Sequence, residues 1–504
     1  MKNLYFLFLA VILFNKVSFS QKRVISYPLD YSKNFLEKKD YDSYFLQDPE
    51  NGSFMLILKD NKKVVYLLLD TNFKLISRIA PDDGFKSTIF KEDDVDYLGG
   101  VAANRVFRCV YKITDKKFLG SSISYRSEII DFEKKSIVSE SLFEIPKNET
   151  MLISFGEFGQ YFSMTADDSN DEIKLYGLNA DGKSYTQPVK INIPATSKKK
   201  KISDYFEKIK LISSTEEPGL ELAKGKVKLF LTASSLRITV NEDDDPTQIY
   251  TIDKKTFALT RQTIDHSFFT SDEKGASYIN SFLYKDMVAS LILNKKNIRI
   301  ALYDKDGKMT KVHEINDNTD LSSFAQSPVR TERRGKTTSE NDITDLKKVI
   351  KALDKGSEGI TISSEKKGRL MITVGTHDPV QMSGGGAGSY GVQHTNISLG
   401  SSSVHVGPNM YETTYYRPGS SSYSKFGATY YKSLQFKLLV DPVTFKLAKG
   451  LAPVSVADQI KDYIAEVDTK AQAKNQFQVN GKEYYGYYLP EDKMYVVEQI
   501  FIRK

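Results

Sequence analysis

Side chains suited to binding are concentrated in one stretch of the sequence, residues 376–428. The stretch is rich in Gly, Ser and Tyr and follows the strand-like residues 370–374. Tyrosine offers flat amphipathic contact area, and Ser and Gly offer adaptable hydrogen bonds, a mixture typical of the binding loops of antibodies. The residues we expect to bind a partner are Tyr390, His394, His405, Tyr411, Tyr415, Tyr416 and Arg417. A plain flexible insertion between two strands is the alternative interpretation.

Three of the five histidines in the chain, His377, His394 and His405, lie in this stretch. Their spacing matches no standard set of transition-metal ligands. Residues 386–391 match the G-x-G-x-x-G string, but dinucleotide binding requires a following helix and an acidic residue about 20 positions on. A Ser, Gly and His tract follows instead. We therefore predict no cofactor and no metal, and a small-ligand or metal-binding loop stays open as an alternative.

No string in the sequence identifies a catalytic residue. The chain has neither a Gly-x-Ser-x-Gly elbow nor a His-Glu-x-x-His motif. Asp304 and Asp306 lack the closing Glu of an EF-hand loop, so a hairpin turn is favoured there. Isolated Asp and Glu residues are plentiful, and one sequence does not show which of them form a catalytic pair. We therefore favour a protein that is not an enzyme.

The first twenty residues have the layout of a secretory signal peptide. A short basic start at residues 1–3 precedes an apolar run at residues 4–14 and a small-x-small tripeptide at residues 18–20. The run is too short to span a membrane, and Lys16 ends it. We expect residues 1–20 to be removed on export to the periplasm, the outer surface or the medium. An N-terminal anchor helix is the alternative.

Length, charge and cysteine content limit the class of protein. The 504 residues carry a net charge of +7, and 40% are hydrophobic, so a large folded core is expected. The lone cysteine, Cys109, cannot form an internal disulfide and is expected to be a small buried hydrophobe. The mild charge and the expected export argue against nucleic-acid binding. No later stretch is apolar enough to span a bilayer, so any contact with a membrane or surface would be peripheral.

One short phrase recurs along the chain. It consists of an apolar strand end, an Asp or Asn, two or three turn residues, and then Phe or Gly. The Phe copies lie at residues 69–75, 252–259 and 440–447, and Gly copies lie at 178–183 and 303–308. Asp and Asn side chains bond their own backbone to start a tight turn, and Gly accepts the positive φ that closes it. The phrase therefore predicts antiparallel strands joined by tight turns.

The repeated unit resembles a blade of the β-propeller superfamily. Residues 277–315 form four strands in about 40 residues, and similar units centre near residues 65, 120, 170, 245, 295 and 435. The repeat contains neither the Trp-Asp pair of WD40 blades nor the paired glycines of kelch blades, so the resemblance is at the superfamily level. It implies an all-β fold, a β-propeller of six or seven four-stranded antiparallel blades with a few short helical insertions. Two successive β-sandwiches are the structural alternative.

We expect one β-propeller domain over residues 21–504. Insertions are expected near residues 327–356 and 376–428, and a closing blade at residues 456–504, to which residues 21–29 add the missing strand. Amphipathic patterns predict helices at residues 203–212, 343–353 and 456–467. These helices are expected to pack against the rim or to dock a partner.

These features favour an exported, non-enzymatic propeller that serves as a protein-interaction or scaffold module in the cell envelope or outside the cell. Its partner would be a protein of the envelope. The alternative is a glycan-active or other hydrolytic enzyme, whose residues would converge from several blades at the mouth of the central channel. A small-ligand or metal-binding module built on the 376–428 stretch is a further alternative.

Overall fold

The structure is a computed structural model. The residues that it describes are 22–29, 42–59, 64–80, 89, 95–117, 120–157, 159–197, 199, 201–212, 218–242, 245–270, 278–294, 296–316, 324–333, 336–341, 346–353, 358–365, 367–381, 429–467 and 471–502.

The described chain folds into seven small sheets, numbered here in chain order. The first described strand is β1 (Lys22–Pro28). Sheet 1 contains β2 (Asp42–Gln47), β3 (Phe54–Lys59), β4 (Val64–Leu69) and β5 (Leu75–Ile79). Sheet 2 contains β6 (Val95–Ala103), β7 (Val106–Lys117), β8 (Gly120–Asp131) and β9 (Ser136–Phe143). Sheet 3 contains β10 (Glu149–Glu157), β11 (Gln160–Asp167), β12 (Glu172–Asn179) and β13 (Ser184–Lys190).

Three short helices lie in the sequence before, within and after sheet 4. Before and within sheet 4 lie α1 (Ile202–Tyr205), β14 (Lys210–Ile212), α2 (Leu220–Ala223), β15 (Val227–Leu231), β16 (Ser235–Val240), β17 (Thr247–Asp253) and β18 (Leu259–Ile264). After α3 (Ser267–Thr270), sheet 5 contains β19 (Tyr278–Tyr284), β20 (Met287–Leu293), β21 (Ile298–Tyr303) and β22 (Met309–Ile315).

The last two sheets include the strands nearest the candidate binding stretch. Sheet 6 contains β23 (Val329–Arg333), β24 (Lys336–Asn341), β25 (Glu358–Ser364), β26 (Leu370–Gln381) and β27 (Thr429–Val440), with α4 (Leu346–Leu353) between β24 and β25. After α5 (Val456–Glu466), sheet 7 contains β28 (Gln472–Val479), β29 (Lys482–Leu489) and β30 (Met494–Ile500). β1 pairs antiparallel with β30 and completes sheet 7 as its fourth strand, as expected for residues 21–29.

The sheets pack face to face in chain order. One apolar cluster joins sheets 7 and 1, one joins 1 and 2, one joins 2 and 3, one joins 3 and 4, and one runs through sheets 4, 5 and 6. Between sheets 6 and 7 lies α5, which packs Ile460, Tyr463 and Val467 on sheet 7. This arrangement confirms the predicted β-propeller and excludes two β-sandwiches. Within the residues described, no helix is both long and apolar enough to cross a membrane.

In sheets 1, 3, 4 and 5 the recurring turn occupies the same place, the hairpin that leads to the last strand of the sheet, and in sheet 6 it follows β27. In the turn after β4, Asp70 Oδ1 accepts hydrogen bonds of 2.8 Å from the backbone N–H groups of Asn72 and Lys74. Phe73 then adopts a φ of 65°, and Phe257 and Phe445 adopt φ values of 58° and 55° in their copies. A left-handed backbone at three phenylalanines is unusual, so each ring must gain enough from packing to offset that conformation.

The phenylalanine ring of each turn packs against the preceding sheet. Phe73 of sheet 1 lies 4.4 Å from the ring of Tyr484 in sheet 7, and Phe257 of sheet 4 lies 5.7 Å from Tyr185 in sheet 3. In the glycine copies, a side chain of the preceding sheet approaches instead. A Cβ at Gly182, where φ is 89°, would lie 2.6 Å from Cζ of Arg108. In these copies, the repeated turn therefore packs against the preceding sheet.

Two elements differ from the prediction. The helix predicted at residues 203–212 is a single turn, α1, followed by strand β14. Lys208 has a φ of 58°, and β14 pairs in parallel with β15, so pairing in the sheet overrides the local helical pattern. The insertion expected near residues 327–356 contains strands β23 and β24, and β23 pairs with β27, so sheet 6 has five strands. Sheet 4 also has five strands.

Candidate interaction surface

The predicted binding residues lie outside the described residues. They are Tyr390, His394, His405, Tyr411, Tyr415, Tyr416 and Arg417. His377 is described as part of β26, where it pairs with Ser433 of β27. The register of β26 with β27 runs from Leu370↔Val440 to Gln381↔Thr429, whereas β25 pairs with β26 only as far as Glu358↔Thr376. The pairing of β26 with β27 therefore continues beyond Thr376, the last residue of β26 that pairs with β25. Residues 382–428 connect β26 to β27 at this end of sheet 6.

The opposite end of sheet 6 carries a second feature, which we call the presented segment and define as residues 441–455. It begins with the turn after β27 and ends at Ser455, the N-cap of α5. Val443 is 82% exposed, Leu451 is 81% exposed and Val454 is 54% exposed. Large aliphatic side chains are ordinarily exposed singly, so three of them within one short stretch single out this part of the surface.

The backbone of the presented segment is anchored at several points. Its residue Ala448 donates from N–H to the carbonyl oxygen of Leu439 at 2.8 Å, and Ala452 donates to the carbonyl of Gln326 at 2.6 Å. From the neighbouring hairpin turn, Arg369 donates through Nη1 to the carbonyl of Lys449 at 2.8 Å. The segment is thus held by hydrogen bonds to three separate parts of the chain while its apolar side chains face solvent.

A buried ion pair fixes the far end of the segment. Lys437 of β27 donates to Asp458 Oδ2 of α5 at 2.7 Å, and its Nζ also lies 3.4 Å from the carbonyl of Pro453. Gln435 donates to Asp458 Oδ1 at 3.0 Å. Burial favours a higher pKa for Asp458, but the charge and hydrogen bond of Lys437 outweigh it and hold that pKa below its ordinary value. The carboxylate therefore stays ionised and keeps α5 attached to sheet 6.

The groups most suited to catalysis lie between sheets 4 and 5. Thr247 Oγ1 lies 2.9 Å from His266 Nε2 and 3.0 Å from Ser281 Oγ, and His266 Nδ1 lies 2.9 Å from the hydroxyl of Tyr303. A hydroxyl that is hydrogen-bonded to an imidazole can be activated as a nucleophile, because the imidazole can accept its proton. However, Thr247 and Ser281 have no exposed surface and His266 is 2% exposed. Burial lowers the pKa of His266 to about 4, so the ring is neutral at physiological pH.

A lysine continues this buried network towards sheet 6. Lys228 donates to Asn280 Oδ1 at 2.6 Å and to the carbonyl of Ser281 at 2.9 Å. Asn280 donates in turn to the carbonyl of Glu358 at 2.9 Å. Burial, assisted by the nearby charge of Lys226, lowers the pKa of Lys228 well below its ordinary value. Two donated hydrogen bonds suit a neutral amine, so this group ties sheets 4, 5 and 6 together.

A second cluster, in sheet 3, pairs two carboxylates through one lysine. Lys174 Nζ lies 2.7 Å from both Glu149 Oε1 and Asp167 Oδ2. The hydrogen bond from Lys174, together with those from Ser169 and Asn170, holds the pKa of Asp167 far below its ordinary value. A carboxyl group held ionised in this way does not donate a proton near neutral pH. Across the described part of the chain, no group of three or more His, Cys, Asp or Glu is placed to hold a metal ion.

Sequence reasoning missed the presented segment because its residues follow neither the period of a strand nor that of a helix. The available signal was the placement of Val443, Leu451 and Val454 in a stretch broken by Pro442, Gly450 and Pro453. Proline and glycine at these positions indicate a segment without regular secondary structure. Apolar side chains in such a segment do not belong to the buried face of a sheet or helix, so they can remain exposed.

Comparison with known proteins identifies no family for this chain. No protein-family model matches the chain, and no curated protein matches it. A prolyl endopeptidase structure is similar with 7% identity and a TM-score of 0.33, over 90% of this chain and 47% of that chain. This chain thus spans less than half the length of that peptidase.

Two further similar structures are propeller domains. The WD40 domain of SCAP from fission yeast has 7% identity and a TM-score of 0.28, over 95% of this chain and 92% of that chain. The β-propeller domain of the Trilobed protease from Pyrococcus furiosus, which has an open velcro topology, has 7% identity and a TM-score of 0.23. It matches 82% of this chain and 95% of that chain.

Proposed function

We propose that this protein is a non-enzymatic β-propeller that binds another protein through the presented segment of sheet 6. The observation that carries the proposal is the combination of an anchored backbone with exposed apolar side chains. Leu451 is 81% exposed, yet the residues on both sides of it, Gly450 and Ala452, lie beside Arg369 and Gln326. A surface of this kind is already ordered before a partner arrives.

Order before binding matters because association has an entropic cost. Fixing the backbone of one flexible residue costs roughly 1–2 kcal/mol. A segment whose backbone is already fixed avoids much of that cost. Burying a Val or Leu side chain then contributes about 1.5–3 kcal/mol, and Val443, Leu451 and Val454 all have surface left to bury. The saved entropy and the apolar surface available for burial together favour a specific protein contact at this end of sheet 6.

The buried polar networks support a binding role over an enzymatic one. Thr247 and Ser281 have no exposed surface on which a substrate would react. Lys174 forms an ion pair with each of two carboxylates, Glu149 and Asp167. In both clusters the reactive groups serve as hydrogen-bond partners that join strands and sheets.

The proposal is tested by comparing two double variants of the full chain. L451D/V454D places charge on the presented segment, and L75D/I76D places the same charge on β5, where both residues are 43% exposed. Native cells expressing each variant are cross-linked, and recovered proteins are quantified by mass spectrometry. We expect a stoichiometric partner that is reduced at least tenfold by L451D/V454D and unchanged by L75D/I76D. Equal recovery by both variants would overturn the proposal.

The Tyr-rich stretch is proposed as a second contact on the opposite end of sheet 6. The β26–β27 hairpin holds both ends of residues 382–428 in register, from Gln381↔Thr429 inwards. A deletion of residues 384–426 leaves that hairpin intact and removes the predicted binding tyrosines. Recovery of the same proteins in the same amounts by this variant would remove the stretch from the proposal while leaving the presented segment in place.

We further propose that the protein acts after export, in the cell envelope or outside the cell. The support is the signal-peptide layout of residues 1–20. Determination of the N-terminus of protein isolated from its native cells tests this directly. A mature chain beginning at Gln21 is expected, and a chain that retains the apolar run at residues 4–14 would contradict it.

A further inference from the structure

Basic side chains lie within the presented segment and beside it. Lys446 follows Phe445 in the turn after β27, and Lys449 precedes Gly450. Lys367 lies in the hairpin turn between β25 and β26, which contacts the segment through Arg369. All three lysines are exposed. Among the described side chains, none of the three ammonium groups is paired with a carboxylate.

Three carboxylates of the same region accept hydrogen bonds or form ion pairs within the protein itself. Asp441 Oδ1 accepts hydrogen bonds from the N–H of Thr444 at 2.7 Å and of Val443 at 3.1 Å. Glu365 Oε2 lies 2.9 Å from Arg369 Nε. Asp458 is bonded to Lys437. With the Lys437–Asp458 pair set aside, the four basic side chains outnumber the two remaining carboxylates, so the net charge of this region is positive; the basic residues are Lys367, Arg369, Lys446 and Lys449.

The same conclusion follows from how these acids titrate. Backbone and side-chain hydrogen bonds from Thr444 lower the pKa of Asp441, and the hydrogen bond of Arg369 lowers the pKa of Glu365. Both carboxylates therefore stay ionised near neutral pH, and each already accepts hydrogen bonds from its own turn. Within the described residues, the ammonium groups of Lys446 and Lys449 form no ion pair.

We propose that the partner of the presented segment is an acidic protein surface, in which Asp and Glu side chains surround an apolar anchor. The inference rests on the proposed function and specifies its partner. The anchor would cover Leu451 and Val454, and the surrounding carboxylates would meet Lys367, Lys446 and Lys449. Charges at the rim of a contact mainly set selectivity and the association rate, whereas the buried apolar centre supplies most of the affinity.

The experiment uses random twelve-residue peptides displayed on phage as a defined probe. The library is panned in parallel against the purified full chain, the L451D/V454D variant, and the charge-reversed variant K367E/K446E/K449E. A matched control, K255E/K305E/K308E, reverses three lysines in the turns of sheets 4 and 5. We expect the wild type and the matched control to enrich peptides that are net negative and contain Leu, Ile or Phe.

The outcomes separate the two proposals. K367E/K446E/K449E is expected to invert the preference to net-positive peptides, and L451D/V454D is expected to abolish enrichment. Apolar peptides of no net charge, enriched equally by wild type and K367E/K446E/K449E, would overturn the acidic partner but keep the presented segment as a binding surface. Enrichment that survives L451D/V454D would overturn the binding surface itself. Binding of the selected acidic peptides should fall at least tenfold between 50 mM and 500 mM salt.

Discussion

Lys437 Nζ lies 2.7 Å from Asp458 Oδ2, and this ion pair joins the last strand of sheet 6 to the helix that separates it from sheet 7. The side chains are 6% and 11% exposed. Gln435 supplies a second hydrogen bond to the same carboxylate, and Ser455 Oγ accepts from the N–H of Asp458 at 3.0 Å. The presented segment runs between these anchor points, so its rigidity depends on them.

Replacing Asp458 with Asn should destabilise the protein, because it leaves the Lys437 ammonium buried without its counter-charge. We expect a loss of roughly 3–5 kcal/mol in the free energy of unfolding, measured by urea denaturation at pH 7. Hydrogen exchange at residues 448–455 should accelerate in the same variant. The double variant K437M/D458L serves as the control, because it removes both charges and should recover most of the stability.

The pH dependence of Asp458 has a defined sign. Its folded pKa lies below its unfolded value, so the ion pair contributes stability above the unfolded pKa and loses it as pH falls through the folded pKa. If D458N were as stable as the wild type at pH 7, the ion pair would have no role in holding α5.

His266 should make stability depend on pH in a different window. Its pKa is about 4 in the folded protein and about 6.5 when unfolded, so the unfolded chain binds the extra proton first as pH falls. The free energy of unfolding should drop as pH falls from about 6.5 to about 4, by on the order of 3 kcal/mol. The H266Q variant should lose this slope. An NMR titration that gives a His266 pKa near 6.5 in the folded protein would contradict the assignment.

Phe73 should contribute more to stability than Phe257, although both occupy the same place in the repeated turn. Phe73 is 5% exposed and lies within 5.0 Å of the ring of Phe54 as well as beside Tyr484. Phe257 is only partly buried. F73A should cost roughly 3–5 kcal/mol and F257A clearly less, by guanidinium unfolding. Equal losses would indicate that the strained backbone, and not ring packing, decides the effect.

Gly375 should not tolerate a side chain. A Cβ there would lie 2.7 Å from Leu220 Cδ1 of α2 and 2.9 Å from Cα of Gln435, and it would collide with the carbonyl oxygen of Leu434. G375A should lower the free energy of unfolding by roughly 1–3 kcal/mol or more. The control is G481A, where nothing lies within 4 Å and only the positive φ of 68° opposes the change. A destabilisation of G375A no greater than that of G481A would exclude the predicted collision.

The sequence predicts the sheets well because the signal for each is local. Asp70 and Asp253 bond backbone groups two to four residues away, so the turn is encoded within a few residues and its repetition predicts the sheet number. Pairing at long range is not encoded in this way. β23 was not predicted as a strand because its charged residues 330–333 pair with residues 432–435, about a hundred positions later.

The presented segment was not predicted as a binding surface, for the same reason. Leu451 and Val454 become a surface only because Arg369 and Gln326, which are distant in the sequence, fix the backbone around them. The buried histidine was also not predicted. No motif in the sequence marks His266, and only the structure places it between Thr247 and Tyr303.

The pairing of β1 with β30 determines the order in which the molecule can be completed. Lys22 pairs with Gln499, so β1 leaves the ribosome long before its partner is synthesised. At roughly 5–20 residues per second, that delay is on the order of tens of seconds. Sheets 1 to 5 each consist of strands that are close in the sequence and can form as they emerge, whereas sheet 7 must wait for translation to reach β30. Until then β1 has no partner strand, so sheet 7 is the last of the seven sheets to be completed.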